Sequence, residues 1–173
     1  MRLTLRILSL LLVLSVTGTA LGASQRKVPA YEKYIKQYSS LAIQHQKKYR
    51  IPASITLAQG LLESGAGRSE LARKSNNHFG IKCHSDWRGG RVYHDDDLRG
   101  ECFRKYKNPE QSYEDHARFL VDRPRYASLF KLKITDYKGW ARGLQKCGYA
   151  TDRAYANRLI KLIEDYDLYL SLI

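Results

Sequence analysis

One mostly apolar segment, residues 51–67, places the tightest constraint on how this chain folds. Pro52 suits the first position of a helix, and Gly65 suits the residue that follows a helix end. Between them, apolar side chains share one helical stripe, namely Ile55, Ala58 and Leu62. The segment therefore predicts a helix with one apolar face and a carboxylate, Glu63, in its last turn.

The position of Glu63 is unusual for an acidic residue. The last turn of a helix is its negative pole, where a cation would be expected. The dipole and the apolar neighbours Leu61 and Leu62 both favour the protonated carboxyl, which raises its pKa. A carboxylic acid that keeps its proton near neutral pH can serve as a general acid. The alternative is a solvated Glu at a frayed helix end, and spacing alone leaves both open.

The first residues predict an export signal. Arg2 and Arg6 precede an apolar stretch at residues 7–16, and small residues follow up to Ala23. We expect a signal peptide at residues 1–23 and a single domain at residues 24–173, which is an ordinary length for one domain. The apolar stretch is shorter than the roughly 20 residues of a membrane-spanning helix. The mature chain is therefore expected in the periplasm, in the cell envelope or outside the cell, without stable membrane insertion.

Charge indicates the kind of partner. The formal net charge is +13, and removing Arg2 and Arg6 leaves 28 basic against 17 acidic side chains, or +11. Such a balance favours attraction to a polyanion. The basic residues are scattered rather than clustered, and an exported chain seldom meets nucleic acid, so we expect a partner in the cell envelope and not a nucleic acid.

The three cysteines are Cys83, Cys102 and Cys147. Two should pair in an oxidising compartment. Cys83 and Cys102 flank an expected hairpin, so we predict a bond between them, with Cys147 left over. A rival use is a metal site made from Cys83, His84, His94 and Cys102. The spacing lacks the paired Cys-x-x-Cys knuckle, so neither a metal nor another cofactor is predicted.

Periodicity predicts a mostly helical chain with one β-hairpin. Amphipathic or capped helical patterns occupy residues 34–49, 51–65, 69–74, 108–121, 136–146 and 151–166. The expected caps include Ser69, a capping box from Ser112 to Asp115, and Thr151 or Asp152. Strand-forming residues concentrate in residues 87–94 and 101–106.

Several ordered segments together resemble glycoside hydrolase family 73, the bacterial endo-β-N-acetylglucosaminidases, which include the glucosaminidase domains of flagellar-rod-associated peptidoglycan hydrolases. The matching segments are ITLAQGLLESG at residues 55–65, NNHFGIK at 76–82, FRKY at 103–106, SYEDH at 112–116, RY at 125–126 and GYATD at 148–152. The resemblance extends from about Tyr31 to the C-terminus.

This resemblance implies a lysozyme-like helical domain with a β-hairpin lobe beside the cleft. It also implies hydrolysis of the β-1,4 bond between N-acetylglucosamine and N-acetylmuramic acid in peptidoglycan glycan strands. Glu63 matches the catalytic acid of the family. A second carboxylate is expected on the hairpin, where the family carries Glu but this chain has Asp; Asp97 is the best match and Asp96 the next. Because like charges crowd at Asp95, Asp96 and Asp97, a solvated turn is the alternative.

Other positions are implied to line the cleft. Tyr149 matches a family tyrosine placed near the scissile sugar. Asn77, Phe79 and Tyr126 are expected to contact substrate, with Phe79 offering an apolar face to a sugar ring. Trp87 and Trp140 can play the same part or belong to the core.

Two mechanisms and two other functions stay open at this point. Asp97 can activate water for an inverting reaction, or the N-acetyl oxygen of the sugar can attack while Asp97 stabilises the intermediate. Asp97→Asn is expected to reduce turnover more than Asp95→Asn. The rival enzyme is a lytic transglycosylase with the same fold, and the rival class is a non-catalytic wall-binding module. Nothing in the sequence indicates more than a monomer.

Overall fold

The computed structural model describes residues 27–85, 87–96 and 98–169. The expected signal peptide at residues 1–23 lies outside the described residues, and so does Asp97.

Six α-helices, one 3-10 helix and a two-stranded antiparallel sheet make up the described part of the chain. In chain order they are α1 (Pro29–Tyr49), α2 (Ala53–Ser64), α3 (Glu70–Ser75), β1 (Gly90–His94), β2 (Glu101–Lys105), α4 (Pro109–Val121), the 3-10 helix Pro124–Lys131, α5 (Tyr137–Lys146) and α6 (Tyr155–Asp165). The expected mostly helical fold with one hairpin lobe is confirmed.

Helix α2 lies at the centre of the helical body. It packs against α1, α5 and α6, and every residue from Ala53 to Leu61 is buried. A helix surrounded in this way must be apolar on more than one face, as this sequence is. It ends where Gly65 takes φ of +55°, a left-handed conformation that costs glycine little. The predicted helix end beside Glu63 is thus confirmed.

The hairpin is attached to the helical body at its base. Its strands pair in the register Val92↔Phe103. Arg104 donates to Asp115 of α4 through Nη1, at 3.0 and 3.1 Å from the two carboxylate oxygens. The hydroxyl of Tyr106 donates to the same carboxylate at 2.5 Å. The chain therefore holds β2 against α4 by an ion pair whose arginine is nearly buried.

A disulfide adds a covalent attachment beside this ion pair. Cys83 and Cys102 are bonded, as predicted, and the backbone N–H of Cys83 donates to the carbonyl of Cys102 at 2.7 Å. Cys147 is a free, partly buried thiol. The bond ties the segment that follows Phe79 to strand β2.

Two predicted caps are wrong. Helix α4 begins at Pro109 and is capped by Asn108, whose side-chain oxygen accepts from the N–H of Gln111 at 3.0 Å. Ser112 lies inside the helix, and its hydroxyl accepts from the N–H of His78 instead. Neither Thr151 nor Asp152 caps α6, which begins at Tyr155. The Ser69 cap is confirmed, since its oxygen accepts from the N–H of Ala72.

No helix in the described part of the chain combines the length and the apolar character needed to cross a bilayer.

Candidate active site

A cleft of about 520 Å³ lies between the end of α2, the hairpin and the loop that leads into α6. It brings together Glu63, Phe79, Asp96 and Tyr149, four of the residues that the sequence placed in the site. Basic and histidine side chains share its wall, namely Lys82, His84, His94, Arg125 and Arg158. The cleft therefore combines one acid on a helix, one acid on the hairpin, a third acid, Asp152, in the loop before α6, and several cations.

Glu63 is the penultimate residue of α2 and is partly buried. Its Oε1 accepts a hydrogen bond of 2.8 Å from the hydroxyl of Tyr155. Burial raises the pKa of Glu63 from 4.5 to about 7, and the negative charge of Asp96 adds to the rise. The Tyr155 hydrogen bond and the positive charge of Arg158 act in the opposite direction. Because burial dominates, Glu63 keeps its proton near neutral pH, as a general acid must.

Tyr155 is a site residue that the sequence reasoning assigned only to the core face of the last helix. It begins α6, is 2 % exposed, and reaches across to Glu63 from the opposite wall. Arg158, one turn later, also lines the cleft and pairs with Asp152 at 3.1 Å. The three-residue spacing of Tyr155 and Arg158 was the available signal, because it places both on one side of a helix.

Tyr149 lines the same cleft as Glu63. Its ring stacks on that of Tyr155 with centroids 5.7 Å apart. Burial raises the pKa of Tyr149 well above its usual value, and the charge of Glu63 contributes to this shift. The hydroxyl therefore stays protonated, and within the described residues it has no hydrogen-bond partner. It is available to donate to a bound molecule.

The hairpin contributes Asp96 to the cleft. Its side chain is about half exposed, and Oδ2 lies 3.5 Å from Nζ of Lys82. The same ammonium lies 2.8 Å from Glu101, whose other oxygen accepts from the N–H of Leu98. Glu101 is thus held by the hairpin itself. Asp97, the first choice for the second carboxylate, lies outside the described residues.

Asn77 and Tyr126, both expected to contact substrate, are not among the residues that line the cleft. Asn77 is 1 % exposed, and its amide group donates to the carbonyls of Ile81 and Arg104. It therefore shapes the loop beneath the cleft rather than its surface. Tyr126 is fully buried because the 3-10 helix turns its ring into the core. Phe79 does line the cleft but is 3 % exposed, and its ring stacks on that of His116, so it does not offer an open face.

The two tryptophans lie away from the cleft wall. Trp140 belongs to the core and is fully buried. Trp87 lies under the guanidinium of Arg104, 4.6 Å from its ring centroid.

The rival metal site is replaced by the disulfide. Cys83 and Cys102 are bonded to each other, so neither offers a thiolate. Across the ranges 27–85, 87–96 and 98–169, no group of three or more His, Cys, Asp or Glu side chains is arranged to hold a metal ion.

Comparison with known proteins places this geometry in a family. The glucosaminidase family model, described as mannosyl-glycoprotein endo-beta-N-acetylglucosaminidase, matches residues 39–168. The exo-glucosaminidase LytG of Bacillus subtilis is 38% identical over 136 residues, covering 70% of this chain and 46% of that protein. The peptidoglycan hydrolase FlgJ of Vibrio parahaemolyticus is 32% identical over 147 residues, covering 79% and 47%. The chain thus spans about half the length of these curated relatives.

Solved structures show the same fold. The catalytic domain of the autolysin Auto from Listeria monocytogenes has a TM-score of 0.70 at 32% identity, covering 84% of this chain and 89% of that one. The peptidoglycan hydrolase from Sphingomonas sp. A1 has a TM-score of 0.71 at 31% identity, covering 82% and 95%. With the family model matched over most of its length, the chain belongs to the glucosaminidase family.

Proposed function

We propose that this chain is a peptidoglycan hydrolase that cleaves the β-1,4 bond between N-acetylglucosamine and N-acetylmuramic acid, with Glu63 as the general acid. The observation that carries the proposal is a carboxyl whose pKa is raised to about 7 on the wall of an open cleft, in a chain of the glucosaminidase family. The relatives LytG and FlgJ are named for this chemistry, as an exo-glucosaminidase and a peptidoglycan hydrolase.

Glu63 begins the reaction by protonating the glycosidic oxygen as the bond to the anomeric carbon breaks. Oxocarbenium-like charge then develops on the sugar ring. Tyr149, protonated and without an internal partner in the described part of the chain, donates a hydrogen bond to the substrate near this centre. Phe79, on the cleft wall, contributes apolar contact to a sugar ring.

The second carboxylate comes from the hairpin. Asp97 is our candidate. Asp96, which precedes it in the sequence and lines the cleft, assists it or binds substrate. Asn77 and Tyr126 act from below, by holding the loop and the aromatic wall on which the cleft rests. The hairpin acid either activates water, which inverts the anomeric configuration, or stabilises the intermediate formed by the N-acetyl oxygen, which retains it.

Export fits this role. Residues 1–23 are the signal peptide, residues 24–173 the mature catalytic domain, and the protein works as a monomer on glycan strands in the periplasm or envelope. N-terminal sequencing of protein from the envelope fraction tests the cleavage, and sedimentation equilibrium tests the monomer.

A digest of purified peptidoglycan tests the reaction. The mature chain, Glu63→Gln and the control Glu70→Gln are compared, with products reduced by borohydride and identified by mass. Glu70 is an exposed glutamate at the start of α3, paired with Lys74, so its loss should leave activity unchanged. We expect reduced N-acetylglucosamine ends from the wild type and the control, and none from Glu63→Gln.

Other products would overturn the proposal. Anhydro-muramic ends would make the protein a lytic transglycosylase, and wall binding without soluble product would make it a binding module. Product length separates internal cleavage, which yields oligosaccharides, from the exo action named for LytG.

The mechanism is tested on the same substrate. NMR of the products identifies the anomer that forms first. An inverted configuration supports activation of water by the hairpin acid, and a retained configuration supports attack by the N-acetyl oxygen. Asp97→Asn should reduce turnover more than Asp95→Asn, because Asp95 already accepts from the N–H of Gly100 at 2.6 Å and serves the turn. Equal losses would mean that the hairpin acts through its overall charge.

A further inference from the structure

A chain of buried polar side chains leads from Glu63 into the core. Gln59 precedes Glu63 by one turn of α2, and its Nε2 donates to the hydroxyl of Tyr155 at 3.0 Å. Tyr155 in turn donates to Oε1 of Glu63 at 2.8 Å. At the inner end, Nε2 of His116 lies 3.2 Å from Oε1 of Gln59. Four side chains from α2, α4 and α6 therefore form one linear hydrogen-bonded series.

The inner members of this series are fixed. Gln59 and His116 are fully buried. The His116 ring stacks on Phe79 with centroids 3.9 Å apart and an interplanar angle of 13°. A buried polar group in such a place needs its partner, because an unpaired donor or acceptor in the core has lost its water without a replacement.

The series can be polarised in two ways. In the outward direction, His116 donates to Gln59, Gln59 to Tyr155 and Tyr155 to Glu63. The inward direction requires the Gln59 amide to be rotated by half a turn from the orientation seen here. A protonated Oε1 of Glu63 then donates to Tyr155, Tyr155 to the carbonyl oxygen of Gln59, and the Gln59 amide N–H to an unprotonated Nε2 of His116. Each hydroxyl has one proton, so the whole series takes one direction or the other.

Two facts select the outward direction. An ionised carboxylate only accepts hydrogen bonds, so ionised Glu63 requires Tyr155 to donate to it. In addition, Nδ1 of His116 has no hydrogen-bond partner among the described residues. The inward direction would place a proton on that nitrogen and bury an unpaired N–H, which proteins avoid more strictly than an unpaired acceptor.

His116 is neutral in this setting and has one proton to place. Burial, with a smaller contribution from the nearby His45 of α1, lowers the pKa of His116 to about 3. The proton on Nε2 then determines the orientation of every group out to Glu63.

We propose that His116 is a positioning residue that, through Gln59, commits the Tyr155 proton to Oε1 of Glu63 and so reserves Oε2 for the acid proton. The proposal rests on the proposed role of Glu63 as general acid. In the inward direction, that proton would lie on Oε1, pointing at Tyr155 instead of at the substrate. The protein thus selects the productive form of its acid from a residue that does not touch the cleft.

Other groups also face Glu63 and must be separated from this effect. Tyr155 and Arg158 face it from α6, Asp96 from the hairpin and Tyr149 from the loop after α5. The Tyr149 ring lies 6.1 Å from the His116 ring, so a substitution at His116 can also disturb Tyr149. Comparing His116→Phe with His116→Gln separates the two effects, because only the glutamine keeps an N–H for Gln59.

The tautomer of His116 is measured directly by ¹⁵N NMR of the imidazole nitrogens in the intact mature chain. We expect a protonated Nε2 and an unprotonated Nδ1. A protonated Nδ1 would overturn the proposal. This readout needs no variant and no enzymatic activity, so it stands even if peptidoglycan proves not to be the substrate.

Variants test the consequence for Glu63, whose titration is followed by ¹³C NMR of its carboxyl. His116→Phe and Tyr155→Phe should raise the pKa of Glu63, because the donor to the carboxylate is weakened or lost. His116→Gln carries an N–H near the position of Nε2 and should keep the wild-type value. His45→Phe replaces another buried histidine, outside the series, and serves as the matched control.

Kinetics complete the test. His116→Phe should lower kcat about tenfold with KM nearly unchanged, the effect of one lost hydrogen bond of about 1.4 kcal/mol, and should move the alkaline limb of the pH profile upward. His116→Gln should recover most of kcat. An unshifted limb in His116→Phe, or an equal shift in His45→Phe, would overturn the proposal. If His116→Phe does not fold, the tautomer measurement and Tyr155→Phe decide.

Discussion

At the scale of single residues, the main feature of the cleft is a carboxyl group, Glu63, that burial keeps protonated at a pH where water would ionise it. Glu63 lies in the last turn of α2, partly buried, with Tyr155 as its hydrogen-bond partner. The sequence predicts a raised pKa from the helix dipole and from burial together. The structure identifies burial as the largest cause.

This burial has a cost in stability that depends on pH. The pKa of Glu63 is raised from 4.5 to about 7 in the fold, so the folded chain binds more protons than the unfolded chain between these values. The contribution of protonated Glu63 to the free energy of unfolding is therefore fully present below about pH 4.5 and is lost as pH rises through 7. Glu63→Gln should raise the free energy of unfolding by about 1–3 kcal/mol at pH 8, allowing for partial exposure.

Urea unfolding of the wild type and Glu63→Gln at pH 4.5 and pH 8 measures this effect. At pH 4.5 the two chains should be nearly equal in stability. A variant that is less stable than the wild type at pH 8 would show that Glu63 is ionised there without strain.

Residue identities in the site were predictable only where pattern and position agreed. Glu63 was found because an acid among apolar residues at a helix end is unusual. Asn77 was misplaced because an asparagine in a loop can serve its own backbone or a ligand, and its amide turns inward to Ile81 and Arg104. Tyr155 and Gln59 were missed as site residues because they lie at the same helical spacing as residues that only pack in the core. The sequence pattern does not show that their polar groups bond to each other and to Glu63.

At the scale of elements, α2 depends on a glycine within its interior. A methyl group at Gly60 would lie 2.5 Å from the hydroxyl oxygen of Tyr34 and 3.1 Å from that of Tyr113. The Tyr34 hydroxyl cannot move away freely, because it accepts from Tyr113 at 2.8 Å and lies 2.9 Å from Nδ1 of His78. Glycine at this position lets α1 and α4 approach α2.

Gly60→Ala should therefore lower the free energy of unfolding by about 1–3 kcal/mol. In an open helix the same change would increase stability by up to about 1 kcal/mol. Thermal or urea unfolding gives the sign. The Tyr34→Phe background is the control, since it removes the hydroxyl at 2.5 Å, and Gly60→Ala should cost less there. Equal costs in both backgrounds would contradict the steric explanation.

Element boundaries followed from the sequence where a cap or a glycine marked them. Ser69 and Gly65 are examples. The start of α4 agrees with the predicted helix at 108–121, but its cap was misassigned because Ser112 fits a capping box equally well; Asn108 does the capping, and Ser112 accepts from the His78 backbone. The 3-10 helix at Pro124–Lys131 was not predicted, since so short an element has no extended apolar period.

At the scale of the whole molecule, the positive net charge suits the proposed role on the cell wall. The formal charge of the whole chain is +13, and the part that follows the proposed signal peptide, without Arg2 and Arg6, carries +11. We expect its attraction to anionic wall polymers to weaken when salt is added, because the Debye length falls from about 10 Å at 0.1 M to about 3 Å at 1 M.

Sedimentation of insoluble walls with bound Glu63→Gln, which should not cut them, measures this attraction. The bound fraction should fall several-fold between the two salt concentrations. Walls stripped of their acidic polymers are the control and should show a weaker dependence. Binding that does not respond to salt would assign recognition to the cleft rather than to surface charge.

The bond between Cys83 and Cys102 has a practical consequence for anyone who makes this protein. Helices form from local pattern and packing in any cellular compartment, whereas this cross-link needs an oxidant. Material produced in a reducing cytosol would have a normal helical circular dichroism spectrum. Its hairpin would nevertheless lack the disulfide and be held to the helical body by the Arg104–Asp115 ion pair without that cross-link. Spectroscopic evidence of folding is therefore not a sufficient quality standard for an active preparation, and a thiol count on each batch is the assay that matters.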